Sequence, residues 1–474
     1  MIDLRLTKIV CTIGPSSDSE DMLKQLILDG MDIARLNFSH SDHSTHEAVF
    51  NKLRELNDSL AIAIDISGPK IRLGKLKEKY ILEANDKVQL TTEIIEGTKN
   101  LLPVNYSSLS EEIKKDSFIF MNDGFVKLKV QSIEDNLINC VVIDGGEISS
   151  HKGINVPDAD LSIHVPTKKD IVDIEKACEL ETDFLFISFV RCADDLKKVN
   201  ELVETSLKKP IPLIAKIEHQ DALKNIKNIM KYCNGLMVAR GDLAVEIGPA
   251  KVPVVQKNLI NLGMSYAKPV IVATQMLESM TKESLPTRAE ASDVAHAVFD
   301  GADALMLSSE TATGKHPLQV VKVMKDIINE AEKDFKCTVP DSNNEENPIG
   351  FEIGQAAVQL GKRMSSKAII ALTQTGYSAR MVYRNRVPLP IYVVTPEQTT
   401  MRFTRLLWGV KPILHHYETE YEQLVFSSIH KFHSEKMINP EDTVILVAGS
   451  IIGLAGKTNT IQVLNVHETL AGKH

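Results

Sequence analysis

Eight short apolar runs, most of them followed by a stretch of helical periodicity, constrain this chain more than any other feature. They are KIVCTIGP (8–15), IARLNFS (33–39), AIAIDI (61–66), FLFISFV (184–190), PLIAKIE (212–218), GLMVARGD (235–242), KPVIVATQ (268–275) and ADALMLSS (302–309). Runs that are apolar on both faces read as buried parallel strands, and parallel strands need crossover connections. In the first connection Ser17 and Asp18 offer N-caps, Met22, Leu23, Leu26 and Ile27 share one helical face, and Gly30 can end the helix. Eight such units point to a (β/α)8 TIM barrel, although a doubly wound sheet shows the same alternation. Polar residues at the ends of at least six runs favour the barrel, whose active site lies at the C-terminal ends of its strands.

One gap breaks the rhythm. The stretch between Ile66 and Phe184 is far longer than a βα connection needs, so a domain is inserted there. Its runs KVQLTT, SFIFMND-G-FVKLKVQSI and LINCVVIDGGEI are strand-like, with turn signals at Asn122-Asp123-Gly124 and Gly145-Gly146. A small β-barrel over residues 70–164, placed as a lid on the mouth, is expected, with the catalytic barrel on 1–69 and 165–335. A helix from Pro317 to about Lys336 and a polar linker, VPDSNNEENPIG, lead to a second αβ series. KAIIALT, LPIYVVT, VKPILHH, DTVILVAGS and NTIQVLNV then predict a three-layer α/β domain over 336–474.

Bulk properties exclude several classes. A formal charge of −9 leaves no Lys/Arg excess for a nucleic-acid backbone, while small anionic substrates stay open. No apolar run approaches the roughly 18 to 20 residues of a membrane span, and the N-terminal MIDLRLTKIVCTIGP lacks the features of a signal peptide. The six cysteines are scattered without zinc spacing and read as reduced, mostly buried thiols. A cytoplasmic protein is expected.

Chemistry gathers at the run ends. Lys216 and Glu218 stand two apart on a strand and face one way; they read either as a structural ion pair or as site residues. The next run ends in Arg240-Gly241-Asp242, which sets a second carboxylate beside the first and makes a reasonable Mg²⁺ (or Mn²⁺) site. Arg35, Asn37 and Ser39 share one strand face, and Arg35 suits bidentate phosphate binding. The third run supplies Asp65, and Gly68-Pro69-Lys70-Ile71-Arg72 opens the insertion. Thr274 and Ser308 put hydroxyls at the mouth. In the last third, Thr373, Thr375, Gly376 and Ser378 lie between a strand and a helix, either as a phosphate cradle or as an ordinary capped turn.

TKIVCTIGPSS, RLNFSH, GPKIR, KGINVP, SFVR, AKIE, MVARGDLAVEI, ATQMLESM, PTRAEASDVAHAVFDGADALMLSSETA and GKTNTIQV together resemble the pyruvate kinase family, in its order and spacing, along essentially the whole chain. The resemblance implies transfer of a phosphoryl group from phosphoenolpyruvate to ADP, giving pyruvate and ATP. It implies Mg²⁺ on Glu218 and Asp242, with Lys216 stabilising the transferring group and Arg35 on the substrate phosphate. The N–H groups around Gly241 and Asp242, with Thr274, are implied for the substrate carboxylate, and Thr274 or a nearby water, oriented by Ser308, for enolate protonation. Asn37, His40, Arg72 and Lys152 are the implied nucleotide contacts. A monovalent-cation site is implied at Asn37, Ser39, Asp65 and the Ile66 carbonyl, with the Lys70 ammonium in place of K⁺ as in K⁺-independent members. Thr373, Thr375, Gly376 and Ser378 match the family's effector-phosphate loop, and a homotetramer is the implied assembly. Ser309 departs from the family's usual glycine, and Ser67 from the residue expected in either K⁺ group. A Mg²⁺-dependent aldolase or lyase acting on pyruvate enolates is the competing reading; it would share the carboxylates and an arginine but need no nucleotide lid. A non-catalytic binding or scaffold protein is a third, and it would be expected to have lost part of this set.

Overall fold

A computed structural model describes residues 5–472 except 158, 160, 163–164, 208, 337–347, 417–419 and 450–457. The linker expected around VPDSNNEENPIG lies almost wholly outside the described residues, as does Cys337; the other five cysteines are free, four of them buried.

Each of the eight runs supplies one strand of a closed parallel barrel: Lys8–Thr12, Ile33–Asn37, Ala61–Ile66, Phe184–Ile187, Leu213–Ile217, Gly235–Ala239, Val270–Ala273 and Ala304–Leu307. Each pairs with its neighbours in chain order, and the eighth closes on the first. The runs outlast the strands at their C-terminal ends because the polar residues there leave the ladder for loops. The first crossover helix, Glu20–Asp29, buries Leu23 and Leu26 and ends at Gly30 with φ 124°, a conformation that favours glycine. Its N-cap is Ser19, which accepts from the Met22 N–H, rather than Ser17 or Asp18. Ser17 is held elsewhere: its hydroxyl accepts the Gly14 N–H at 3.1 Å and tightens the loop after the first strand.

Residues alternate across each strand with period two. One set, including Ile62, Ile64, Leu185, Ile187, Leu213 and Ala215, packs outward in the same core as the crossover helices. The other set, Val10, Ile33, Ala61, Ala63, Phe184, Phe186, Ile214, Met237, Ile271, Ala304 and Met306, forms a separate core and fills the barrel interior, as layered barrel packing requires. Stepping two residues further along these interior rows gives Thr12, Arg35, Asp65, Ser188, Lys216 and Ser308. Along these six rows the interior thus turns from apolar to polar or charged at the next inward position.

The insertion forms a six-stranded sheet and a two-stranded sheet, containing strands from Tyr80–Leu82 to Ile154–Asn155, around its own apolar core. The turn at Asn122-Asp123-Gly124 joins Phe118–Met121 to Val126–Glu134, whereas Gly146 opens the short strand Gly146–Ile148 instead of ending in a turn. The final unit is a five-stranded sheet with Thr460–Asn465 antiparallel at one edge and helices packed on it. Its core runs into the barrel floor: the Phe184 and Phe403 rings meet tilted by 37° with centres 5.9 Å apart, and Lys8 donates to the Val410 carbonyl at 2.7 Å. Burial pushes the Lys8 ammonium down to about 8. At the same floor Arg386 makes two 2.9 Å bonds to Asp303, both side chains essentially inaccessible, and a third to the Gly301 carbonyl. No helix among the described residues is long and apolar enough to cross a membrane.

Removing one partner of a buried ion pair leaves the other charge desolvated and uncompensated. Arg386→Met is expected to lower stability by about 3–5 kcal/mol, read as a fall in the urea midpoint, with the barrel's secondary structure retained at low denaturant.

Candidate active site

Arg35, Asn37, His40, Lys216, Glu218, Asp242, Thr274, Ser308 and Ser309 line one cavity of about 390 Å³ at the C-terminal ends of the barrel strands. The residues come from five different strand ends, and the strand periodicity described above turns Arg35, Asn37, Lys216 and Ser308 inward.

A buried carboxylate organises the cations. Asp65 accepts from Arg35 Nε at 2.8 Å, and its other oxygen lies 3.2 Å from Lys216 Nζ. Burial alone would push the Asp65 carboxyl up, but Arg35 and Lys216 outweigh it and hold the group below its ordinary value. Lys216 also donates to Ser188 Oγ at 2.7 Å and lies 3.1 Å from Glu218 Oε1. Burial opposes its charge, yet Asp65 and Glu218 together keep its pKa above that of a free lysine. Arg35 NH1 donates to Thr12 Oγ1 at 2.8 Å and NH2 lies 2.8 Å from Asp65, which fixes the guanidinium on the cavity wall.

Glu218 is held from behind by the Phe189 N–H, 2.8 Å from Oε2. Burial first, and then the Asp242 charge, raise its pKa, while Lys216 opposes them. Two carboxylates close enough to repel in a buried mouth are a fitting donor set for a divalent cation, which relieves that repulsion. Among the described residues no group of three or more His, Cys, Asp or Glu side chains is arranged to hold a metal. A hard cation here would therefore complete its shell with water and substrate oxygens, as Mg²⁺ commonly does.

The Lys70 ammonium lies on Asp242 Oδ1 at 2.6 Å. The oxygens expected to hold a monovalent cation are already engaged: Asp65 by Arg35 and Lys216, the Ile66 carbonyl by Ser188 Oγ at 2.7 Å, and Asn37 Oδ1 by the Ser39 N–H at 3.1 Å. Lys70 thus brings its charge to the same mouth through Asp242.

Thr274 sits at φ 72° and Gln275 at φ 53°. A β-branched residue in the left-handed region is strained, and the surroundings hold it there. Arg240 donates to the Thr274 carbonyl at 2.8 Å while paired with Asp293 at 2.7 Å. The Thr274 hydroxyl accepts the Gly241 N–H at 2.8 Å, which brings the backbone at Gly241 against it. Ser308 donates its N–H to Glu310 at 2.7 Å, leaving its hydroxyl on the cavity wall, and Ser309 Oγ donates to Glu278 at 3.0 Å.

His40 is exposed at the mouth; partial desolvation, and then the nearby Arg72 and Arg35 charges, push its pKa down. Arg72 and Lys152 sit on the insertion, where Arg72 NH1 donates to the His151 carbonyl at 3.0 Å and the Lys152 carbonyl accepts the Leu73 N–H. They do not line the cavity itself. Thr12 and Ser188 join the site although no role was assigned to them from the motifs TKIVCTIGPSS and SFVR that contain them; their signal is the position two residues beyond an inward-facing apolar residue. In the final unit, Thr373 and Ser378 are buried, Ser378 Oγ lies 2.8 Å from Thr458 Oγ1, and Gly376 takes φ 77°, while Thr375 is exposed.

Such a site, charged only at its mouth and carried on a closed barrel under a β insertion, defines an enzyme of the barrel class with a cationic, carboxylate-bearing cleft for small anions. The chain matches the family models described as pyruvate kinase, barrel domain, over residues 4–321 and pyruvate kinase, alpha/beta domain, over 352–464. It is 40% identical over 470 residues to a pyruvate kinase of Thermotoga maritima, covering 98% of this chain and 100% of that one. It is 39% identical over 464 residues to a pyruvate kinase of Corynebacterium glutamicum, covering 97% of each. With a pyruvate kinase of Sporosarcina psychrophila it shares 38% identity over 478 residues, 99% of this chain and 82% of the relative. The chain belongs to the pyruvate kinase family. Its activity is phosphoryl transfer from phosphoenolpyruvate to ADP, and the aldolase or lyase alternative has no support.

A second buried cluster seals the insertion to the barrel. Glu246 takes a 3.4 Å bond from Asn155 of the insertion, and His219 Nε2 lies 3.3 Å from its other oxygen. Burial pushes Glu246 up to about 7 and His219 down to about 4. Folded Glu246 keeps a proton that the unfolded chain loses above about pH 4.5, so this group costs stability as pH rises from there to 7. His219 acts oppositely, adding stability as pH rises from 4 to its ordinary value of 6.5. Glu246→Gln is expected to remove the falling limb, so that stability at pH 8 exceeds the parent's by a few kcal/mol. Urea unfolding at pH 5 to 8 checks this.

Proposed function

We propose that Lys216, Arg35, Thr274, Glu218 and Asp242 carry the pyruvate kinase reaction in this chain. The observation behind the reading is their convergence on one cavity of about 390 Å³. Glu218 and Asp242 hold Mg²⁺ or Mn²⁺, which when bound supplies Lewis-acid neutralisation of the substrate's oxygens. Arg35, braced by Asp65 and Thr12, binds the substrate phosphate through its fork. Lys216, kept charged by two carboxylates, stabilises negative charge on the transferring group. The N–H groups at Gly241 and Asp242, with the Thr274 hydroxyl, receive the substrate carboxylate. Thr274, aided by Ser308, delivers the proton that completes pyruvate.

Asn37, His40, Arg72 and Lys152 contact the nucleotide. The last two reach it when the insertion, residues 70–164, closes over the barrel formed by 1–69 and 165–335 and excludes water. Lys70 replaces the charge of a monovalent ion, and the prior engagement of Asp65, Ile66 and Asn37 supports that. A phosphorylated effector is assigned to Thr373, Thr375, Gly376 and Ser378 in the final unit, 336–474. A homotetramer fits an exposed Phe299 on one helix and an exposed Val463 on the edge strand Thr460–Asn465. The protein works in the cytoplasm.

Lys216→Met is expected to lower kcat by about 10²–10³-fold or more while Mn²⁺ still binds, as read by electron paramagnetic resonance. Glu218→Gln and Asp242→Asn should weaken Mn²⁺ binding itself. Loss of turnover without ADP separates transfer from lyase chemistry. Replacement of K⁺ by tetramethylammonium is expected to leave most of the activity; near-complete loss would reject the assignment to Lys70.

A further inference from the structure

The fourth barrel strand, Phe184–Ile187, runs into a turn whose atoms face both charged groups of the strand beside it. Ile187 stands opposite Ala215 in the ladder, so the next step brings Ser188 alongside Lys216. Lys216 and Glu218 line the cavity; Ser188, buried behind them, does not.

A serine hydroxyl has one proton and two lone pairs. That of Ser188 has two buried acceptors for its proton, the Ile66 carbonyl at 2.7 Å and Asp65 Oδ1 at 3.3 Å. Whichever takes it, a lone pair is left for the Lys216 ammonium at 2.7 Å. The ammonium has three N–H groups. One goes to Ser188 and one to Asp65 at 3.2 Å, and fixing two of them fixes the third. The third lies on the side of Glu218, whose Oε1 is 3.1 Å away at the cavity wall. Asp65 by itself is a weak anchor, because its carboxylate is shared with Arg35. A lysine ammonium is a compact charge on a flexible four-carbon stem, so one bond restrains it little and a second from another strand pins it.

The following residue acts on Glu218. Phe189 takes φ 54°, an outlier for a bulky side chain, and from there its N–H donates to Glu218 Oε2 at 2.8 Å. Gly68 backs the turn. A β-carbon at Gly68 would lie 2.8 Å from Ser188 Cβ, closer than carbon atoms pack, so glycine lets the chain entering the insertion press against the serine.

We propose that Ser188 is a positioning residue for phosphoryl transfer, holding Lys216 so that its remaining N–H points to the place of the transferring group. This rests on the role given above to Lys216. Charge stabilises a transferring group only where it is aimed, and a misplacement of about 1 Å can cost about 10²-fold in rate. The serine supplies neither charge nor proton to the reaction; it sets direction.

Steady-state kinetics and Mn²⁺ electron paramagnetic resonance on the full chain test this with Ser188→Ala, Lys216→Met and the double variant. Ser188→Ala is expected to lower kcat about 10–100-fold, with KM for phosphoenolpyruvate and Mn²⁺ affinity within about threefold of the parent's. In the double variant the serine has no ammonium left to aim, so kcat should match that of Lys216→Met alone. A serine that only supported the fold would lower activity by the same factor whether or not Lys216 is present. Parental kcat in Ser188→Ala overturns the proposal, as do losses that multiply in the double variant, or a fall in Mn²⁺ affinity in step with kcat. Should Ser188→Ala fail to fold, Ser188→Cys, close in size and a weak acceptor, is expected to show the same loss and decides the outcome. Parental kcat in Lys216→Met overturns the Lys216 reading and this proposal with it. A crippled Lys216→Met beside an unaffected Ser188→Ala overturns the serine's role alone.

Discussion

A parallel barrel of eight strands closes only when every inward side chain fits a filled interior, because a packed core has no room for an unpaired charge. Here the inward rows run Val10, Ile33, Ala61, Ala63, Phe184, Phe186 and Ile214, and become polar only at the last step before the loops. That constraint forces the charged groups of neighbouring strands into one shallow layer. Opposite charges then meet at short range: Asp65 between Arg35 and Lys216, and Glu218 between Lys216 and the Phe189 N–H. The geometry of this charged layer is a by-product of closure as much as of any single motif.

Much of this was legible in the residues. Period two along IARLN, AIAIDI and PLIAKIE is enough to put Arg35, Asp65 and Lys216 on the face shared with Ile33, Ala63 and Ile214. The long interval before Phe184 revealed the insertion, and the resemblance in sequence supplied the reaction. What was not legible depended on contacts between elements distant in sequence. Nothing local to Lys70 says that its ammonium meets Asp242, 172 residues away. The first helix begins at Ser19 because Ser17 is drawn into a bond with Gly14, a competition between two hydroxyls that a capping preference alone does not resolve. The hydroxyls of Thr373 and Ser378 look like open donors in the sequence, yet the packing of the final unit buries both.

The lower end of the barrel has its own logic. The interior core continues past the strand N-termini into Trp408, Leu407 and Phe403, so the final unit serves as the barrel's floor. Asp303, Arg386 and Lys8 are polar groups within that seam, each satisfied by a partner from the other unit. A change in how the final unit sits would therefore be felt as a change in packing beneath the strands, and packed interiors transmit strain rather than absorb it.

Thr274 occupies a backbone conformation for which glycine would be the unstrained choice. Holding a threonine there costs roughly 1–3 kcal/mol, a sizeable fraction of what keeps an ordinary domain folded. Glycine would relieve the strain and remove the hydroxyl that touches Gly241. The chain instead spends Arg240 and Asp293 on pinning the strained carbonyl. Selection for stability alone would have discarded such a residue, so what keeps it there is something other than the stability of the fold.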